Sequence, residues 1–324
     1  MATDEAGICK WAAKLVPITF NEMKLLWLPC LLLVSCAPGT GPVERKVIHQ
    51  VDTIADLPFA KPGGVELLMD LHLPKGVVNP PLVMSIHGGG WQTGDRKRCR
   101  SSWLVKHGYA VANIEYRMSH EAVFPAQIHD CKGALRWLRA QQKKYGYNAE
   151  KVVVVGYSAG GHLATLLGTS NGVQALEGNT AGHPNQSSAV QGFIDYFGPV
   201  DFIQRSKSQP NKTEKPKGIV YQLLGGSVTG NPGKAQLASP VTHVGKGDPP
   251  ALILHGEKDR QVLPAQSQRL HEVYQAKGLE PQLLLLPEKG HGWGHPLAEE
   301  EKLVLEFLGK VLRPNLESKT KVTP

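Results

Sequence analysis

Residues 152–161 read VVVVGYSAGG, a G-x-S-x-G motif that directly follows an apolar run. The valines predict a strand buried on both faces, and residues 162–167 predict a helix after the motif. A sharp turn between such elements holds the serine in a strained conformation, and the glycines leave room for close packing. The helix also directs its N-terminal dipole towards developing negative charge. The motif therefore predicts Ser158 as a nucleophile, the alternative being a simple glycine-rich turn.

A second glycine-rich segment, HGGGW at residues 87–91, directly follows the predicted strand Leu82–Ile86. Consecutive glycines expose backbone N–H groups without side-chain obstruction, which suits an oxyanion hole. We expect its donors to be the N–H groups of Gly89, Gly90 and Ala159. The alternative, a flexible loop, is disfavoured because the G-x-S-x-G motif follows at the expected distance.

A serine nucleophile needs a base, and the base needs an acid that orients it. In this type of fold the chain order is serine, then acid, then histidine. Asp259 follows the predicted strand Ala251–Leu254 and is the preferred acid. Glu257 is a rival in the same loop, whereas Asp248 precedes the strand and so lies at the wrong end.

The base is expected after the last predicted strand, where residues 288–295 read EKGHGWGH. His291 is flanked by glycines in the loop and is preferred to His295, which precedes a proline at the entry of the final predicted helix. The other histidines are interpreted as structural residues, including two that lie near the motifs, His162 and His255.

From about residue 46 to residue 313, short apolar runs alternate with longer amphipathic stretches. The predicted strands are Val65–Leu73, Leu82–Ile86, Ala110–Tyr116, Lys151–Val155, Gly192–Phe197, Ala251–Leu254 and Gln282–Leu286. Helices are predicted near 97–107, 125–145, 159–169, 263–277 and 297–313. This alternation predicts an α/β fold with a mostly parallel central sheet and helices on both faces. The polar stretches 171–190 and 203–240 are interpreted as surface insertions, of a kind that often shapes a substrate pocket.

The composition of the 324-residue chain is that of a globular protein, with 41% hydrophobic and 20% charged residues. It excludes a disordered, collagenous or coiled-coil protein. The net charge of +8 permits acidic partners, but the basic residues are scattered. The dense basic cluster Arg96, Lys97, Arg98 and Arg100 is interpreted as a solvated helix face rather than a nucleic-acid site.

The N-terminal segment resembles an export signal. Met23 and Lys24 precede an apolar run, residues 25–34, that is too short to span a bilayer, and Ser35-Cys36 follows. The sequence LVSC at 33–36 is similar to a bacterial lipobox, which predicts lipidation of Cys36 and a natural start at Met23. The alternative is a buried N-terminal helix, which the prolines in and after the run disfavour.

The expected organisation is an extension with a signal over 1–36, a linker over 37–45, a catalytic domain over 46–313 and a disordered tail over 314–324. Diacyl anchoring would supply the two chains that stable membrane attachment needs. The protein is therefore expected to be exported, as a periplasmic or outer-membrane lipoprotein or in secreted form. Membrane contact is expected only through that anchor.

The five cysteines do not form a disulfide scaffold, and their spacing does not indicate a zinc site. Cys99 and Cys131 would remain in the exported domain. Spacing does not decide whether they pair, and buried free thiols are the preferred interpretation.

Taken in order, HGGGW, GYSAGGHLA, HGEKD and GHGW resemble the α/β-hydrolase esterases with an HGGG oxyanion loop. More narrowly, they are similar to the BD-FAE-type bacterial enzymes known as feruloyl or acetyl-xylan esterases, over residues 50–313. Hormone-sensitive-lipase-like enzymes share HGGG but typically read GDSAGG. Here Tyr157 and HGEKD stand in place of their motifs.

The resemblance implies an α/β-hydrolase fold with short cap insertions, in which Ser158, Asp259 and His291 form a catalytic triad. It implies hydrolysis of short-acyl or aryl esters, such as acetyl or feruloyl groups on plant polysaccharide. Trp91, Tyr157 and Trp293 adjoin these motifs and are candidate substrate-binding residues, with core packing or a turn position as the alternative.

No metal or organic cofactor is expected, and the expected partner is a small-molecule or oligosaccharide ester rather than nucleic acid. A serine exopeptidase or a non-catalytic binding protein on the same scaffold remains an alternative. A lipase is disfavoured because the two insertions are too polar for a large apolar lid. The oligomeric state stays open.

Overall fold

The computed structural model describes residues 48–294 and 296–312. Within these residues, eight strands form one sheet in the order β1-β2-β4-β3-β5-β6-β7-β8. Their bounds are β1 Val51–Ala60, β2 Leu67–Pro74, β3 Pro81–Ile86, β4 Ala110–Ile114, β5 Asn148–Tyr157, β6 Gly192–Tyr196, β7 Ala251–Gly256 and β8 Gln282–Leu286.

Helices connect these strands and cover the sheet. The α-helices are α1 Ala126–Tyr145, α2 Ala159–Thr169, α3 Gln174–Glu177, α4 Phe202–Ser208, α5 Pro210–Thr213, α6 Ile219–Leu224, α7 Pro232–Leu237, α8 Ala265–Ala276 and α9 Ala298–Leu312. Short 3-10 helices lie at Pro62–Gly64, Ser102–His107 and Pro240–Thr242. The α/β-hydrolase architecture predicted from the sequence is confirmed.

Parallel pairing runs without interruption from β4 through β8, whereas β2 pairs antiparallel with both β1 and β4. Ile86 at the end of β3 is level with Gly156 in β5, and Gly256 in β7 is level with Leu286 in β8. The carboxyl ends of these strands therefore lie along one edge of the sheet, where α/β proteins bind ligands.

The valine run of β5 shows why this strand lies at the centre of the sheet. Val152 and Val154 belong to the apolar cluster that contains α1 and α2, while Val153 and Val155 belong to the cluster that contains α9. All four valines are at most 2% exposed. Since successive side chains of a strand point to opposite faces, the run supplies both layers of the core.

Three predictions of secondary structure differ from the structure. Strand β1 was not predicted because its residues are mostly exposed and do not alternate in polarity, as suits an edge strand. In the predicted helix 97–107, only Ser102–His107 is helical, and as a 3-10 helix. The insertion 203–240 contains most of α4 and all of α5–α7, anchored by buried apolar residues such as Val220 and Leu223, so it is a folded part of the domain.

The basic cluster is not a helix face, and Arg96 is buried, whereas Lys97, Arg98 and Arg100 are exposed as predicted. Arg96 lies before the 3-10 helix and is only 4% exposed. Its guanidinium binds the carboxylates of Asp56, Asp70 and Glu115, which belong to β1, β2 and the segment after β4. The burial of Arg96 could not be predicted from its own segment, because the three carboxylates that surround it come from other elements of the fold.

Several predictions lie outside the described residues. These are the signal segment with its start at Met23 and the lipidation of Cys36, the linker, the tail and His295. In the described part of the chain, no helix is long and apolar enough to cross a membrane. Cys99 and Cys131 are both free thiols, and Cys131 is fully buried while Cys99 is partly exposed.

Candidate active site

Ser158 occupies the turn between β5 and α2 with φ 57° and ψ −115°, a strained conformation for a residue with a side chain. Its N–H donates to the carbonyl oxygen of Tyr196 at 2.8 Å. A Cβ at Gly156 would lie 2.0 Å from the carbonyl oxygen of Gly160, and a Cβ at Gly160 would lie 2.2 Å from that of Ile86. Both glycines of the motif are therefore required by close backbone contact.

Two hydrogen bonds connect the predicted triad residues. Nε2 of His291 lies 2.9 Å from Oγ of Ser158, and Nδ1 of His291 lies 2.7 Å from Oδ2 of Asp259. His291 is partly exposed, whereas Asp259 is 2% exposed. With Nδ1 protonated, Nε2 is free to accept the serine proton, so this arrangement can generate a nucleophilic alkoxide.

The carboxylate of Asp259 is held from several sides. Oδ1 accepts the N–H groups of Gln261 at 2.8 Å and Val262 at 3.0 Å. Burial by itself raises the pKa of Asp259, but hydrogen bonds from His255, His291 and Val262 outweigh it and keep the pKa well below its usual range. The acid is thus a fixed negative charge that can stabilise an imidazolium.

His255 is a member of this network that the sequence analysis treated as structural. It is fully buried at the end of β7, with Nε2 lying 3.2 Å from Oδ2 of Asp259 and 2.9 Å from the carbonyl oxygen of Val262. Nδ1 lies 2.6 Å from Oγ of Ser267. Its position four residues before the acid in HGEKD was the available signal.

The rival acids do not reach the imidazole. Glu257 is exposed in the same loop. Asp248 lies before β7, as expected, and accepts the N–H of Gly245 at 3.0 Å. Asp259 is therefore the acid that the fold brings to His291.

The oxyanion loop follows β3 and borders Ser158. Gly89 and Gly90 have φ values of 113° and 63°, a region that favours glycine, and a Cβ at Gly89 would lie 1.9 Å from the carbonyl oxygen of Thr93. Among the described residues, no acceptor takes the N–H of Gly89, Gly90 or Ala159. These donors are thus available for an oxyanion.

Of the aromatic residues proposed for substrate binding, Tyr157 does line the cavity at the site. It stacks on Tyr196 at 4.6 Å between ring centroids, and the guanidinium of Arg100 lies over its ring at 4.8 Å.

Trp91 and Trp293 are not among the residues that line this cavity. Trp91 is 1% exposed because its indole packs edge to face against His162 and Phe202. The indole N–H of Trp293 donates to Glu300 at 2.7 Å. Trp91 therefore packs in the core, which corrects its predicted substrate-binding role. Trp293 is partly exposed and connects the base loop to α9, and its substrate-binding role stays a prediction.

The cavity has a volume of about 500 Å³ and contains Ser158, His291 and the three glycines of the oxyanion loop in its wall. This is a volume typical of small-molecule sites. Ile219 at the start of α6 and Lys212 in α5 also line it, so the insertion 203–240 does contribute to the pocket. In the part of the chain that the structure describes, no group of three or more His, Cys, Asp or Glu side chains is placed to hold a metal ion.

The fold and the arrangement of Ser158, His291 and Asp259 define an α/β-hydrolase with a serine at the nucleophile elbow. Comparison with known families identifies it further, because the BD-FAE family model matches residues 69–274. The chain belongs to the BD-FAE family of α/β-hydrolase esterases.

Known relatives agree with this assignment. Esterase LipQ of Mycobacterium tuberculosis is 29% identical over 269 residues, which cover 79% of this chain and 62% of LipQ. The chain thus spans less than two thirds of that relative. Among solved structures, a truncated carbohydrate esterase from gut microbiota is 28% identical with a TM-score of 0.75, covering 82% of this chain and 98% of that one. A bifunctional GH43-CE protein of Bacteroides eggerthii is 30% identical with a TM-score of 0.72, covering 80% of this chain and 38% of that one.

Proposed function

We propose that this protein hydrolyses carboxylic esters by acyl transfer, with Ser158 as nucleophile, His291 as general base and Asp259 as the orienting acid. The continuous chain of hydrogen bonds from Ser158 Oγ to Asp259 Oδ2, with distances of 2.9 Å and 2.7 Å, carries the proposal. Membership of an esterase family supports it.

In the proposed reaction, Nε2 of His291 takes the hydroxyl proton as Ser158 attacks the ester carbonyl. The tetrahedral oxyanion accepts hydrogen bonds from the N–H groups of Gly89, Gly90 and Ala159. His291 then protonates the departing alcohol, and the acyl-enzyme is hydrolysed by a water molecule that the same imidazole deprotonates. Every step uses groups of the protein and water only.

The proposed substrates are short-acyl or aryl esters, including acetyl or feruloyl groups on plant polysaccharide. The cavity of about 500 Å³ is large enough for a substituted aromatic ring. The carbohydrate esterase similar to this chain supports a sugar-linked ester. Release of acetate or ferulate from xylan fragments tests this specificity, and absence of both would contradict it.

The first test of the activity is release of 4-nitrophenol from 4-nitrophenyl acetate by the protein and by Ser158→Ala. Hydrolysis by the parent and loss of nearly all activity in the variant is the expected result. A fluorophosphonate probe should label the parent at Ser158. Absence of both hydrolysis and labelling would favour a non-catalytic binding protein.

Export and lipid anchoring through Cys36 are a separate proposal, which rests on the sequence at 23–36. Metabolic labelling with a palmitate analogue in a bacterial host tests it, with Cys36→Ser as the matched control. Label on the parent but not on the variant is expected, and equal labelling of both would contradict it.

A further inference from the structure

The wall of the catalytic cavity is strongly basic. Four of its side chains are cationic and one, Asp95, is a carboxylate. The cations come from two parts of the fold, the segment after the oxyanion loop and the helices α4 and α5, and they are Arg98, Arg100, Arg205 and Lys212.

None of these four cations forms an ion pair with an acidic side chain of the described residues. Arg96, close by in the sequence, binds three carboxylates. The charge of Arg96 is therefore compensated by direct ion pairs, whereas the four cations at the cavity have no such ion pairs among the described residues.

Arg205 shows the imbalance most clearly, because it is 1% exposed and still has no paired carboxylate. Its Nη2 donates to the carbonyl oxygen of Gln261 at 2.8 Å, and its Nε donates to Oε1 of Gln209 at 3.1 Å. Nη1 is buried and has no hydrogen-bond partner among the residues that the structure describes. A buried guanidinium that binds only neutral oxygens leaves a positive field in the wall of a low-dielectric cavity.

The acid whose charge acts on Arg205 is Asp259. Its oxygens are already shared by His291, His255 and the N–H groups of its own loop. With Asp95 and Asp259 each counted as one negative charge, the four cations still leave a net positive charge around the cavity. Arg98 is exposed and Lys212 is partly exposed, so both can contact a ligand directly, while the buried Arg205 adds charge in the same wall.

We infer that the natural substrate is an ester that itself carries a carboxylate, which binds in the catalytic cavity near Arg98 and Lys212, over the buried charge of Arg205. Acetyl esters of uronic-acid-containing saccharides have this chemistry on the alcohol side, and half-esters of dicarboxylic acids have it on the acyl side. The inference rests on the proposed esterase function and specifies its substrate class.

The test compares kcat/KM within two matched pairs of esters. On the alcohol side, 4-acetoxybenzoate is compared with the neutral 4-acetoxybenzamide. On the acyl side, mono-4-nitrophenyl succinate is compared with the neutral 4-nitrophenyl 4-methylpentanoate. A preference of about tenfold for the charged member of at least one pair is expected, as for one charge-assisted contact. The pair that shows it identifies the side of the ester that carries the charge.

Variants then connect the preference to the cavity. In Lys212→Gln and Arg98→Gln, and more strongly in the double variant, the ratio of charged to neutral kcat/KM should fall several-fold. Arg205→Gln should lower the same ratio, and the two exposed variants keep the test valid if it does not fold. Lys310→Gln removes an exposed charge on α9, away from the cavity, and should leave the ratio unchanged.

The salt dependence of the preference distinguishes a local contact in the cavity from an effect of the protein's net positive charge. Raising the ionic strength from about 0.05 M to about 0.5 M should weaken the preference only partly, because a partly buried pair is screened less than an exposed one. Equal rates within both pairs, alongside clear hydrolysis of 4-nitrophenyl acetate, would overturn the inference and leave the esterase function intact. An equal fall of the ratio in Lys310→Gln would also overturn it. Failure to hydrolyse any ester would overturn the proposed function itself.

Discussion

Replacing Asp259 by asparagine keeps the size of the acid and removes its charge, and its contacts determine how the amide turns. Oδ1 accepts two backbone N–H groups, at 2.8 Å and 3.0 Å, whereas Oδ2 faces Nδ1 of His291 at 2.7 Å. The amide has only one oxygen, so it must face either the backbone donors or the imidazole.

Turning the NH2 group towards the backbone would leave two buried N–H donors unpaired, at a cost of about 1–3 kcal/mol each, or about 2–6 kcal/mol together. We therefore expect the oxygen to stay with the backbone and the NH2 group to face Nδ1 of His291. Nδ1 must then accept a hydrogen bond, which places the ring proton on Nε2. An imidazole in this tautomer cannot take the proton of Ser158, and kcat should fall about 10⁴-fold, or about 5.4 kcal/mol.

The assay is kcat for 4-nitrophenyl acetate, with the folded state of Asp259→Asn checked by circular dichroism. Glu257→Gln is the matched control, since Glu257 is exposed in the same loop, and its kcat should equal that of the parent. A loss of less than tenfold in a folded Asp259→Asn protein would refute the proposed tautomer argument.

Three further predictions concern stability. Burial lowers the pKa of His162 from 6.5 to about 4, so the unfolded chain binds the proton first as the pH falls. About 3 kcal/mol of stability should be lost between those pH values, and His162→Gln should flatten the Tm profile there; an unchanged slope would contradict this. Gly160→Ala should lower Tm and activity because its Cβ meets the backbone of β3, whereas Gly309→Ala in α9 meets nothing and should raise Tm slightly; equal effects would disprove the argument. Arg96→Met should cost about 3–5 kcal/mol in urea unfolding, because it leaves the buried Asp70 and the partly buried Glu115 without their counter-charge, and a cost below about 1 kcal/mol would contradict that account.

The central strands were predictable because the sheet buries them on both faces. The valines of β5 form an uninterrupted apolar run, whereas a strand with one exposed face would alternate apolar and polar residues. The G-x-S-x-G motif that follows the run identifies the turn. Strand β1 was not predictable in this way, since its pairing with β2 depends on backbone hydrogen bonds at an exposed edge rather than on a pattern of burial.

The candidate catalytic residues were predictable because each of them lies in one loop with a recognisable motif. Ser158 and Asp259 follow the buried strands β5 and β7, His291 follows the partly buried edge strand β8, and the fold brings the strand ends together. The contacts that surround these residues were not predicted from the sequence. The burial of Arg205 in the cavity wall depends on the packing of α4 against the distant loop that contains Gln261. The contact of His255 with the acid depends on the turn within HGEKD, where only the four-residue spacing indicated it.

The basic segment after the oxyanion loop connects the site to the rest of the sheet. Arg96 binds carboxylates on β1 and β2 and so ties this segment to the antiparallel edge. Arg100 donates to the carbonyl oxygen of Trp293 and lies over the ring of Tyr157, so it joins the base loop to the nucleophile elbow. The oxyanion glycines precede these two arginines in the same loop. The position of the glycines therefore depends on the contacts of both Arg96 and Arg100. The edge strand β1 contributes no residue to the cavity wall. It still supports the active site, because Asp56 of β1 binds the buried guanidinium of Arg96 in the segment that follows the oxyanion loop.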